Sequence, residues 1–166
     1  MAEKITMFPG DKIRFLTDIL RKQTDLRNQI ESRANITIGF STAIIAFALS
    51  QSLQGKTNTG LIVILSFSLL ALLSGLLALK PLQLFTAKGQ AQSVFYHTAI
   101  AKQDLSSYTQ KLKEITQSEQ KVLEQYALEI HNMTYHSIRI KKFLSNLSIK
   151  LLVFGILIGG IITILR

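Results

Sequence analysis

Six bases form the chain's clearest chemical pattern: Arg21, Arg27, Arg33, Arg139, Lys141 and Lys142. Guanidinium and ammonium groups grip phosphate oxygens through charge-assisted hydrogen bonds. Phe95, Tyr96 and Tyr108 add rings on which bases can stack. This set suits a nucleotide or a short single-stranded oligonucleotide. The headgroups of anionic lipids offer the same phosphates, so both ligands remain open.

Catalysis has far less to work with. The sequence contains no phosphate-cradling glycine loop, no Gly-x-Ser-x-Gly and no His-Glu-x-x-His. There is no cysteine, which removes disulfides and thiolate metal sites. Glu129, His131, Tyr135 and His136 cluster, but His131 and His136 are five apart and face differently on a helix. Packing or interfacial hydrogen bonding is the expected role of that cluster. No enzyme activity, cofactor or metal is expected.

The elements that must position the bases are membrane helices. No charge falls between Ala34 and Gly55, none between Thr57 and Leu79, and only Lys150 between Phe143 and Leu165. About 20 apolar residues cover the ~30 Å hydrocarbon core. Within lipid such a segment has to be helical, because its amides find no other partners. The sequence therefore predicts an all-α integral membrane protein with three spans, 34–53, 60–79 and 143–165. A cytoplasmic amphipathic helix, 1–33, precedes the hairpin 34–79, and a cytoplasmic helical segment, 80–142, separates it from the third span.

The net charge is +9. Seven bases precede the first span, nine lie between the second and third, and the first connection holds only Lys56. Sixteen bases and ten acids leave +6 on one side of the bilayer. The positive-inside rule makes that side the cytoplasm. The N-terminus is then cytoplasmic and Arg166 lies outside.

Helical spacing runs through Ile13, Leu16, Ile19, Leu20, Gln23, Leu26, Ile30 and Ala34. After a Pro9-Gly10 turn with Asp11 as N-cap, it predicts one helix from Asp11 to about Leu53, roughly 64 Å long. The polar stretch from Gln54 to Gly60 predicts a tight turn and an antiparallel hairpin. Lys80-Pro81 closes the second span. Leu105, Tyr108, Leu112 and Ile115 form one stripe. A turn at Thr116–Glu119, capped by Thr116 or Ser118, leads to a second stripe at Leu123, Tyr126, Ile130 and Met133. That stripe continues without a break into the third span, so a helical bundle or stalk is expected.

Small residues recur where membrane helices need close approach: Gly155-x-x-x-Gly159, Ala71-x-x-x-Gly75 and Gly39-x-x-x-Ala43. The spacing does not say whether the partner helix belongs to the same chain. Asn35, Gln51 and Lys150 are polar groups at membrane depth, which are costly and tend to mark a pathway. Lys150 either snorkels to the nearby interface or forms a ring in an oligomer that favours anions. No span carries an acid, which argues against proton-coupled transport.

An amphipathic helix enters the first span through Glu31-Ser32-Arg33-Ala34, followed by Ile38-Gly39-Phe40. This acid-x-base-Ala step is similar to the Asp-x-Lys-Ala step of the Pycsar transmembrane effectors of bacterial anti-phage defence. Glu and Arg replace Asp and Lys with the charges kept. The plan of hairpin, helical cytoplasmic segment and late span also resembles the membrane effector of the Hailong type. The resemblance implies an oligomeric pore or membrane-disrupting effector in the bacterial inner membrane. It also implies control by a nucleotide or short DNA ligand made by a nucleotidyltransferase or cyclase.

The resulting expectation is a homo-oligomeric ion channel, a tetramer being one candidate assembly, with anionic lipids and the nucleotide as partners. Arg21, Arg27, Arg33, Arg139, Lys141 and Lys142 would bind the ligand. Lys150, Gly155, Gly159, Asn35 and Gln51 would line or pack the pore. The competing expectation is a non-conducting adaptor whose cytoplasmic helices recruit a protein partner. A lipid-perturbing toxin without a defined pore is a third.

Overall fold

The hairpin turn shows how local chemistry sets this fold. Helix α1 runs Pro9–Leu53 and α2 runs Thr59–Leu79. Gly55 takes the left-handed conformation, φ 73°, that glycine adopts without strain. The Lys56 N–H then donates to the Gln51 carbonyl and the Gly55 N–H to Ser52, both at 3.1 Å. This is the Schellman closure of a helix C-terminus. Asn58 starts the next helix, accepting from the Leu61 N–H at 2.7 Å. A few residues thus satisfy the amides and carbonyls that reversing the chain would leave bare.

A computed structural model describes residues 9–80, 93, 94, 100, 101 and 103–165, with the side chains of Pro9 and His136 excepted. After α2 come α3, Leu105–Thr116; α4, Glu119–Asn132; a π-helical turn, Met133–Ile138; and α5, Arg139–Ile164. No strand occurs among the described residues. Three helices are long and apolar enough to cross a membrane: Gly10–Leu53, Thr59–Leu79 and Glu119–Ile164, the last including the π turn. The fold is an all-α membrane protein.

Two features of α1 differ from expectation. It begins at Pro9, so Pro9-Gly10 is its first turn rather than a loop before it. Asp11 stands inside that turn and is not the cap. Proline fits the first helical position because its missing N–H would have no partner there. Asp11 is instead placed favourably toward the positive end of the helix dipole.

The described residues fall into two compact units. One unit takes the described residues of Met1–Leu26 and of Phe85–Ser137. Here α3 and α4 pack together across Gln117 and Ser118, with the Ser118 N–H donating to the Ile115 carbonyl. Asp104 caps α3, accepting from the hydroxyl of Ser106 and the N–H of Ser107. Those bonds hold its carboxyl down at about 2. Ser118 has the extended backbone of an N-cap for α4. Lys12 pairs with Glu119 at 3.4 Å, and Ser93 donates to Glu129 at 2.5 Å. Tyr108, Leu112, Leu123 and Tyr126 are only half-buried, and Leu105 is 81% exposed.

The other unit takes the described residues of Arg27–Leu84 and of Ile138–Arg166 and holds a three-helix bundle. Its buried positions step mostly by three and four, with steps of seven and eight where a turn is skipped. They are Ile30, Ala34, Thr37, Ser41 and Ala48 on α1, and Gly60, Ser68, Ala71, Gly75 and Ala78 on α2. On α5 they are Lys141, Ser145, Ser148, Leu152, Gly155 and Gly159. This is the 3.5-residue repeat of a left-handed supercoil. Most of the seam is Ala, Ser and Gly, while Phe40, Phe47, Leu73, Phe154 and Leu157 point outward. Lipid is as apolar as leucine, so the gain comes from close backbone approach.

Helices α2 and α5 pack along their length and run antiparallel. A Cβ on Gly155 would collide with Phe67, and one on Gly159 with Ile64 and the Gly60 carbonyl. The partner helix of this glycine pair is therefore within the chain. Ser148 donates to the Ala71 carbonyl at 2.6 Å. At the same level Gly75 would meet Ile38 of α1 at 2.8 Å. By contrast, nothing lies within 4 Å of a Cβ on Gly39.

Candidate functional site

Where α1 enters the bundle, residues one helical turn apart share a side. Arg27, Glu31 and Ala34 are spaced so, and Ala34 is fully buried. That turns Glu31 toward α5. Its Oε1 accepts from Arg27 Nε at 2.9 Å and from Lys141 Nζ at 2.6 Å. Lys141 occupies a seam position of α5 and is 1% exposed. A buried ammonium is tolerable only beside a charge of opposite sign.

Burial alone would raise the Glu31 pKa. The hydrogen bonds from Lys141 and Arg27, with the attraction of both charges, outweigh it and hold the carboxyl below the ordinary glutamate range. The group stays ionised at neutral pH and ties α1 to α5.

The six bases are therefore not equivalent. Lys141 is covered and Arg27 is engaged by Glu31. Arg33 and Lys142 are exposed and have no ion pair among the described residues. Arg139 is exposed on the first turn of α5. Arg21 is also exposed but belongs to the other unit. Of the stacking candidates, Phe95 and Tyr96 lie outside the described residues and Tyr108 is half-buried.

Among the residues expected at membrane depth, Asn35 and Lys150 are exposed and Gln51 is half-buried. Asn146, one turn before Lys150, is exposed on the same side. His131 and Tyr135 stack, with ring centroids 5.8 Å apart and planes 7° from parallel.

Glu31 was hard to find from sequence as the partner of a buried lysine. The clue was the repeat Ile30–Ala34–Thr37–Ser41, which carries the seam across the edge of the apolar run and points Glu31 inward.

The model of one protein family, PycTM, described as a Pycsar effector protein domain, matches residues 15–166. The chain belongs to the PycTM family. None of the curated proteins and none of the solved structures matches it. PycTM membership and the three apolar helices make this a membrane protein and an effector of the Pycsar anti-phage type. PycTM is a transmembrane effector domain and not a known catalytic family. Its role implies a nucleotide signal from a cyclase system.

Proposed function

We propose that this PycTM protein forms a homo-oligomeric, ion-conducting pore in the bacterial inner membrane, gated by the nucleotide and without enzymatic activity of its own. The observation that carries the reading is the set of polar groups left uncovered at membrane depth, Asn35, Asn146 and Lys150. Facing lipid, these side chains are costly; facing another subunit or water, they are not. The open surface at Gly39 on α1 supports a second copy there.

In this proposal the N-terminus is cytoplasmic and Arg166 external, by the distribution of bases. Residues 34–53, 60–79 and 143–165 lie in lipid. The nucleotide or short oligonucleotide binds among Arg33, Arg139 and Lys142. Arg27 and Lys141 would be recruited if the ligand displaces the Glu31 carboxylate. A ligand that binds one packing arrangement better than another shifts the population toward it.

Purified protein in liposomes tests the proposal. Current that changes on adding cyclic or short linear nucleotides is expected. No current with or without them rejects the pore. Release of large dyes without ion selectivity would support membrane disruption instead.

One observation favours the adaptor reading. Leu105 and the half-buried stripes of α3 and α4 offer apolar surface to a protein partner. An assembly of this chain alone that buries them would count against it.

A further inference from the structure

Between α1 and α5 runs a groove of about 270 Å³, lined by Ile36, Thr37 and Phe40 on one side and Ile149, Leu152 and Val153 on the other. Its floor is nearly closed: Thr37 is 5% exposed and Leu152 9%. Its walls stand open, with Ile36, Phe40 and Val153 about half exposed or more. Thr37 donates its hydroxyl to the Arg33 carbonyl, which leaves the floor without a free donor. Arg33 closes one end of the groove, exposed and without an ion pair among the described residues. Lys142 stands seven residues before Ile149, on the same stripe of α5 and toward the same end. Glu31, the nearest acid along α1, is already committed to Arg27 and Lys141.

We infer that this groove is a seat for one anionic phospholipid, with an acyl chain along Phe40 and Val153 and its phosphate at Arg33 and Lys142. The apolar lining excludes a nucleotide, whose base and sugar need polar partners. A helix with its side chains is about 10 Å across, too broad for a slot of this volume between two helices in contact. The free bases at one end match the charge of an anionic headgroup, and basic sites between membrane helices suit such lipids. This inference needs only the membrane reading, and because the proposed nucleotide site uses the same Arg33 and Lys142, lipid phosphate and nucleotide would compete there.

The chain has no tryptophan, so Phe40→Trp supplies a single reporter. The variant is reconstituted in vesicles doped with phosphatidylglycerol or phosphatidylcholine carrying brominated acyl chains. At equal mole fraction, at least twofold stronger quenching by the brominated phosphatidylglycerol is expected. That preference should vanish in F40W/R33Q and persist in F40W/R33K. A reporter at Leu73, exposed on α2 and as far inside the 60–79 span from Leu79 as Phe40 is inside the 34–53 span from Ala34, should respond equally to both lipids. Adding inorganic phosphate to the vesicles should change nothing. Equal quenching by both lipids at position 40, or a preference that survives R33Q, would overturn the inference. Loss of quenching by either lipid would mean that a second copy covers the groove, and would overturn it too.

Discussion

Glu31 receives two bases on one oxygen, and one of them is a lysine with no access to water. Removing the carboxylate strands that ammonium. Breaking a buried pair costs about 3–5 kcal/mol. E31Q is therefore expected to lower the thermal midpoint in detergent, whereas R33Q should barely move it. Replacing both partners, as in E31L/K141M, should recover most of the loss, because an apolar pair of similar volume carries no stranded charge. The pH dependence follows from the depressed Glu31 pKa. Stability from this pair is complete above the unfolded glutamate value of about 4.3 and is lost as pH falls through the lower folded value. A pH series of melting temperatures should show that loss in the native chain and not in E31Q. The same pairing separates the phosphate-binding candidates. R33E should weaken nucleotide binding directly, and unchanged affinity would remove Arg33 from the site; R27E should register mainly as lost stability.

The turn between α1 and α2 depends on two residues with different duties. An alanine at Gly55 must adopt a left-handed conformation, at about 1–2 kcal/mol. An alanine at Asn58 leaves the Leu61 N–H without its partner, at about 1 kcal/mol. The two losses, read from unfolding in detergent, should be close to additive if each acts only on its own helix end. G155L should do far more, because Phe67 already fills the space; failure of α2 and α5 to pack, read by protease access in membranes, is the expected result. Helices and turn were legible because uncharged runs and a Gly-bounded polar stretch are local signals. The intramolecular partner of Gly155 and Gly159 was not, since the same spacing serves a contact within or between chains. Nor was the ordering of the bases: Arg27, Arg33, Lys141 and Lys142 look alike as residue types, and only the phase of each helix decides which one meets Glu31. The start of α1 at Pro9 was missed because Pro-Gly is a strong turn signal whose first residue also suits a first helical turn.

In the proposed pore, the polar groups uncovered at membrane depth, Asn35, Asn146 and Lys150, meet neighbouring copies. The chain contains no cysteine, so G39C gives a single thiol at a position with room for a side chain. Oxidation in membranes should join two copies through it. Absence of any cross-link at Gly39 or Ala43 would argue against an interface on that side of α1.

The seam of Ala, Ser and Gly also inverts the usual rule of mutational tolerance. In a water-soluble bundle the bulkiest interior residues are the hardest to replace. Here the bulky residues point outward, and exchanging leucine for isoleucine or phenylalanine at Leu73 or Leu157 should be nearly silent. The smallest residues are the ones under constraint: each added methyl at Ala34, Ala71 or Gly159 would wedge two helices apart. A saturation scan scored by membrane accumulation should therefore rank sites by how little their side chains weigh.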